Sequence, residues 1–105
     1  MDKDHVIDCA RLLAEQARQT LNVRQVILFG SYARGAATDD SDIDIAIITD
    51  YPVADWLETS AELYRMSGAI DLALEPHLLD CEHDRSGFLE EIRKTGELIY
   101  DRGQA

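Results

Sequence analysis

Asp42 and Asp44 are separated by a single residue in the apolar run 42–48, DIDIAII. On a β-strand, residues two apart project from the same face. The two carboxylates would therefore stand side by side, and Ile43, Ile45 and Ile47 would turn the other way, into a core. Like charges that close repel each other unless a cation lies between them, and hard oxygen donors of this kind suit Mg²⁺ or Mn²⁺. Aspartate is a poor strand former, so a pair of them is an odd choice for a strand face that is merely solvated.

Upstream, Gly30 and Ser31 follow the run 24–29, RQVILF, directly. A residue without Cβ lets a phosphate approach the backbone and its free amides. Ser31 adds a hydroxyl donor, Arg34 a fixed positive fork, and Gly35 lets the chain double back. A third carboxylate comes from Asp71, between Ile70 and Leu72 in 69–74, AIDLAL. A charge inside an apolar strand is costly unless it is paired or metal-bound. If that strand adjoins 42–48, Asp42, Asp44 and Asp71 converge. Three carboxylates around two divalent ions about 4 Å apart form a clamp for in-line attack at phosphorus. Glu75 shares the strand parity of Asp71 and is the alternative third ligand.

Two competing motifs fail on the same residues. Gly30 and Gly35 have the glycine spacing of a P-loop, but Ala36 and Ala37 stand where Lys and Ser/Thr belong. Asp40, Asp42 and Asp44 mimic the first ligands of an EF-hand. There, however, Ile45 replaces the required Gly and Tyr51 the required Glu.

The elements that must hold these residues read as follows. Apolar Val6, Ala10, Leu13, Ala17 and Leu21 recur at helical spacing and predict a helix over 4–21, with Asn22 as its stop. Strands are expected over 24–29 and 42–48, joined by a turn-rich stretch, 30–40, too short for much helix. Pro52 suits the first turn of a second long helix. Trp56, Leu57, Ala61 and Tyr64 would mark its inner face, and Gly68 would close it. The third strand, 69–74, would end at Pro76. Residues 81–86 read as a loop. Helix 88–95 (FLEEIRKT) carries acidic residues early and basic ones late, as its dipole prefers, and stops at Gly96. Leu98 to Tyr100 is either a short edge strand or a packed tail. The sum is one α/β (α+β) domain over 1–105, a small mixed sheet flanked by helices.

Composition narrows the partners. The 105 residues are 46% hydrophobic, enough for one core, and a domain of this size buries roughly 60–70% of its unfolded surface. Ten basic residues against 21 acidic ones give a net charge of −11. Such a surface repels nucleic-acid backbones and favours basic partners or bound cations. No apolar run reaches the ~20 residues a membrane span needs, and the start lacks the pattern of a signal peptide, so the expected setting is cytoplasmic with no membrane contact. Cys9 and Cys81 show no metal-ligand spacing and read as small hydrophobes. His5, His77 and His83 show none either and read as surface or loop residues. His77, near the end of the expected Asp71 strand, leaves a site role open. Tyr32 fits either stacking near a nucleotide or packing.

The arrangement Gly30-Ser31, ten residues, then Asp42-Ile43-Asp44, with Asp71 later, resembles the signature of the polymerase-β-type nucleotidyltransferase superfamily. The wording Gly-Ser-Tyr-Ala-Arg-Gly and the ending 88–100 are similar to the minimal nucleotidyltransferases of prokaryotes. The resemblance implies a polymerase-β-like core, Mg²⁺ (two ions, with Mn²⁺ as a substitute) and ATP as substrate. It implies that Gly30 and Ser31, with Arg34, bind the triphosphate. Asp42, Asp44 and Asp71 would bind metal and act catalytically, with Asp71 also helping to deprotonate the attacking hydroxyl. Minimal proteins of this type commonly pair with a HEPN-class ribonuclease in a toxin–antitoxin module and transfer AMP to a tyrosine of that partner.

Three functions then compete. The first is a protein adenylyltransferase antitoxin in a hetero-oligomer with its partner. The second is an antitoxin that neutralises by binding alone. The third modifies a small molecule such as an antibiotic. The last is disfavoured because no second domain is expected to grip a free acceptor, and the presence of all three carboxylates favours activity over binding alone.

Overall fold

The fold is that of a computed structural model, which describes residues 2–80, 82 and 87–104. Cys81, His83 and most of the expected 81–86 loop lie outside the described residues.

Among the described residues the helices and strands run in the order α1 (Lys3–Arg18), β1 (Val23–Phe29), α2 (Ser31–Arg34), β2 (Ile43–Thr49), α3 (Trp56–Ile70), β3 (Leu74–Leu79), α4 (Phe88–Thr95) and β4 (Glu97–Asp101), followed by a 3-10 turn at Arg102–Gln104. The strands form one mixed sheet in the order β3-β2-β1-β4. β1 is antiparallel to β2 and β4, whereas β2 and β3 are parallel. The expected mixed α+β architecture is therefore present, and residues 97–101 form an edge strand.

The sheet separates two apolar clusters. On one side Val6, Cys9, Ala10, Leu13, Ala14 and Ala17 of α1 and Leu63 of α3 pack on Ile43, Ile45 and Ile47. On the other, Ile92 of α4 packs on Ile27, Ala46, Ile48 and Leu79. The isoleucines of β2 thus point where their alternation predicts. Each fully buried Ile of this kind stabilises the fold by about 1.5–3 kcal/mol.

Several boundaries differ from expectation for local reasons. Asp2 caps α1 by accepting the His5 amide at 2.9 Å, and the helix ends at Arg18 rather than Leu21. The next turn bonds the Leu21 amide back to Ala17 at 2.9 Å, and Leu21 still reaches the core. The join 30–40 contains one helical turn, α2. Pro52 precedes α3, whose cap is Asp55 accepting from the Glu58 amide.

The inner face of α3 is Trp56, Leu63, Met66, Ser67 and Ile70; Trp56 packs on the core as expected, but Leu57 is 81% exposed and Tyr64 53% exposed. Gly68 does not close this helix, which continues to Ile70 and is capped by Asp71. Burial of Leu63, Ser67 and Ile70 outweighs the roughly 1 kcal/mol that a helical glycine costs.

The third strand is the main correction. It covers Leu74–Leu79, not 69–74, and Pro76 lies within it. β3 is an edge strand, where proline's missing N–H can face away from the ladder.

Candidate active site

Residues on β1, β2 and β3 bring the site together at one end of the sheet. Asp44 pairs with Phe29 of β1 on one side and with Glu75 of β3 on the other. Laterally paired residues share a face, so Asp44 and Glu75 emerge together on the α4 side. Asp42 precedes β2 by one residue, and the Ile43 amide bonds to the Ala73 carbonyl at 2.8 Å, which anchors this start.

The Glu75 carboxyl is pushed above the ordinary carboxylate range. A hydrogen bond with Asp42 contributes most, then burial, then the charge of Asp44, with His77 pulling the other way. Two carboxyl groups share a hydrogen bond only if one keeps its proton, so the raised value reports crowded acids.

His77 stands two residues beyond Glu75 on the same face. Its Nε2 lies 3.2 Å from Asp44 Oδ1 and 3.9 Å from Glu75 Oε1. Its ring meets Phe29 edge-on at 5.0 Å between centroids, and Phe29 in turn meets Phe88 of α4 at 5.7 Å. One ligand atom from each of Asp44, Glu75 and His77 falls within 4.8 Å of the others. The oxygen donors fit a hard divalent cation such as Mg²⁺, and the imidazole is placed to orient Asp44.

Gly30 adopts φ 74°, ψ −149°, a region essentially reserved for glycine. A Cβ there would overlap Asp44 Oδ2, so the glycine keeps open the space between the start of α2 and the carboxylate. Helix α2 begins at Ser31 with no side-chain cap on its first amides, and the Ser31 hydroxyl has no hydrogen-bond partner among the described residues. Arg34 is exposed on the same turn and makes no ion pair among the described residues. Tyr32 is buried in the core, its hydroxyl donating to the Thr38 carbonyl, so of its two readings packing is the one observed. A shallow recess of about 350 Å³ is lined by Lys3, Tyr32, Gly35, Ala37, Thr38 and Asp39, and includes none of Asp42, Asp44 and Glu75.

The fold thus gathers Gly30, Ser31, Asp42 and Asp44 as expected, but Asp71 is not with them. As the cap of α3 it sits on the α1–α3 side of the sheet, where its Oδ2 lies 2.9 Å from His5 Nε2 and its Oδ1 accepts the Ala73 amide at 2.8 Å. Those bonds hold its carboxyl below the ordinary range, His5 contributing most. Glu75, the alternative third acid, takes the place beside Asp44. The sequence signal for this was the alternation in β3: Leu74 and Leu78 enter the α1–α3 core, and Glu75 and His77 face the site.

The sequence model of the family described as polymerase beta, nucleotidyltransferase matches residues 11–105. A Methanocaldococcus jannaschii protein named as a protein adenylyltransferase is 32% identical over 79 residues, 74% of this chain and 79% of that one. A Sulfolobus solfataricus protein described as a nucleotidyltransferase superposes with a TM-score of 0.67 at 22% identity, covering 95% of this chain and 84% of that one. A chain from a complex of tri-AMPylated Shewanella oneidensis HEPN toxin with MNT antitoxin superposes at 0.63 with 19% identity, covering 93% and 75%. Another, from a toxin–antitoxin crystal structure with AMP-PNP, superposes at 0.65 with 21% identity, covering 99% and 77%. At such identities the structural likeness speaks for the fold alone. The match over 11–105, joined to the glycine turn and the paired aspartates, places the chain in the polymerase β nucleotidyltransferase family.

Proposed function

We propose that the chain is a Mg²⁺-dependent adenylyltransferase antitoxin that moves AMP from ATP onto a hydroxyl, a tyrosine by preference, of a HEPN-type ribonuclease partner. The observation that carries this reading is the pairing of Asp44 with Glu75, with Asp42 two residues before Asp44, beside the open glycine turn at Gly30. The relatives described above add the acceptor class, since one is named for protein adenylylation and another is a complex with an AMPylated toxin.

In this reading the first amides of α2, the Ser31 hydroxyl and the Arg34 guanidinium receive the triphosphate oxygens. Asp42, Asp44 and Glu75 would hold Mg²⁺, which when bound neutralises charge developing on the phosphates. His77 keeps Asp44 oriented. The partner's hydroxyl oxygen attacks the α-phosphorus, the Pα–O–Pβ bond breaks, and pyrophosphate leaves. A carboxylate of the trio takes the hydroxyl proton, and Glu75, directly across from Asp44, is placed to be that acceptor. Catalysis is positioning and charge neutralisation. The net charge of −11 suits a basic partner surface, and a cytoplasmic setting would supply the ATP.

The test incubates the chain with Mg²⁺, ATP and the product of the adjacent gene, then weighs both proteins. The proposal expects a partner heavier by one or more AMP groups, and no gain with Asp42→Ala plus Asp44→Ala. Neutralisation without mass change, indifferent to that double substitution, would mean an antitoxin that acts by binding. Transfer to a free aminoglycoside would mean a small-molecule enzyme.

A further inference from the structure

On the opposite side of the sheet from the carboxylate trio, three donor atoms of three different kinds meet at one point. His5 Nε2 lies 2.9 Å from Asp71 Oδ2 and 3.4 Å from Cys9 Sγ. All three atoms fall within 4.8 Å of one another. His5 and Cys9 are one helical turn apart on the same face of α1, and Asp71 caps the end of α3. Neither the histidines among themselves nor the cysteines among themselves have metal-ligand spacing along the chain. The helical turn supplies that spacing, and the fold supplies the third donor.

We propose that His5, Cys9 and Asp71 form a site for a borderline divalent transition cation, Zn²⁺ being the type, that ties the start of α1 to the end of α3. A single ring nitrogen presents either one hydrogen or one lone pair along its axis, so Nε2 cannot serve both the carboxylate and the sulfur with well-aligned hydrogen bonds. A cation at the shared point gives all three atoms a partner at once. The donor set is nitrogen, sulfur and oxygen, the mixture zinc accepts, with three protein ligands and one further position for water.

The surroundings suit that role. Asp71 Oδ1 is occupied by the Ala73 amide, which fixes the carboxylate with Oδ2 toward His5, the kind of outer hydrogen bond that orients metal ligands. Cys9 is 3% exposed, and the His5 side chain is 49% exposed, so the sulfur is shielded and an entry path stays open. Binding replaces the thiol proton, which is released to solvent. This site shares no residue with the trio of Asp42, Asp44 and Glu75, so the two stand or fall separately.

Titration of the full chain with Co²⁺, a spectroscopic stand-in for zinc, tests the site. The expected result is a thiolate-to-cobalt charge-transfer absorption in the near ultraviolet that Zn²⁺ bleaches. It persists in Cys81→Ser and in Asp42→Ala plus Asp44→Ala, and disappears in Cys9→Ser. Because Cys9 is buried, His5→Ala provides a second reading at a half-exposed position. It should weaken Zn²⁺ binding by roughly 10–100-fold, the scale on which even outer-shell partners act. It should also abolish the rise in melting temperature that Zn²⁺ gives the parent chain. No thiolate band in the parent chain, a band that survives Cys9→Ser, one lost in Cys81→Ser, or a Zn²⁺ affinity unchanged in His5→Ala would each overturn the proposal.

Discussion

Glu75 stands directly across from Asp44 in the parallel β2–β3 register, and no residue of the expected 69–74 strand does. Asp42, Asp44 and burial all push the Glu75 carboxyl upward, and among the described residues His77 is the group that pulls it the other way. A metal-free site of this kind opposes its own ionisation. A carboxyl whose folded pKa is raised contributes stability that is fully present below its unfolded value and is lost as pH rises through the folded value. Without divalent ions, the chain should therefore lose thermal stability from about pH 4 upward at this group. Glu75→Gln should flatten that loss and melt higher than the parent at neutral pH. Adding Mg²⁺ should raise the parent's melting temperature more than the variant's. Melting curves with Mg²⁺ or with chelator, across pH, check both statements, and a Glu75→Gln that melts lower without metal would contradict them.

Gly30 and Gly35 both have positive φ, 74° and 72°, yet their surroundings differ. A Cβ at Gly30 would overlap Asp44, whereas a Cβ at Gly35 meets nothing within 4 Å. Gly35→Ala should cost about 1 kcal/mol, the left-handed backbone penalty alone. Gly30→Ala should cost more, about 1–3 kcal/mol, and should also displace the carboxylate and abolish transfer. Denaturant titration of the two variants, with transfer assayed on each, separates backbone strain from site damage.

The imidazole of His77 bridges Asp44 and Glu75 and rests against Phe29, which rests against Phe88. His77→Gln should reduce metal affinity and transfer by roughly 10–100-fold, as loss of an orienting partner does. Phe29→Leu should act in the same direction and less strongly, because it loosens only the support of the ring. Mg²⁺ titration of transfer rates would show the effect as a higher Mg²⁺ requirement. An unchanged requirement would remove His77 from the site.

Much of this was legible in local sequence. Gly30-Ser31 and Asp42-Ile43-Asp44 could be placed because each relies on short-range geometry: a turn after an apolar strand, and the period of two along β2. The third acid relied on a boundary. Pro76 read as a stop, although it lies within an edge strand, and Gly68 read as a helix end, although α3 runs on to Ile70. Both readings move β3 toward the N-terminus and set Asp71, rather than Glu75, beside Asp44. The same shift hid the meeting of Asp71 with His5, a contact across 66 residues that no local pattern encodes. Leu57 and Tyr64 misled in a related way, since a helix with apolar residues on two sides does not announce which side is covered.

Asp71 offers a prediction of opposite sign to that of Glu75. His5 and the Ala73 amide hold its carboxyl below the ordinary range. A depressed folded value contributes stability that is present above the unfolded pKa and lost as pH falls through the folded one. Asp71→Asn should therefore lower the melting temperature at neutral pH and make the acid limb of the stability curve shallower below about pH 4. A pH series of melting curves on the two proteins checks this.

The third-acid assignment is tested most directly by comparing two single variants in one assay: AMP transfer to the HEPN-type partner, followed by intact mass, for Glu75→Gln and Asp71→Asn. The account predicts that Glu75→Gln lowers the transfer rate by about a hundredfold or more, as loss of a group that stabilises transition-state charge does, and that Asp71→Asn lowers it far less. A rate that collapses in Asp71→Asn and survives in Glu75→Gln would contradict the assignment of the third acid.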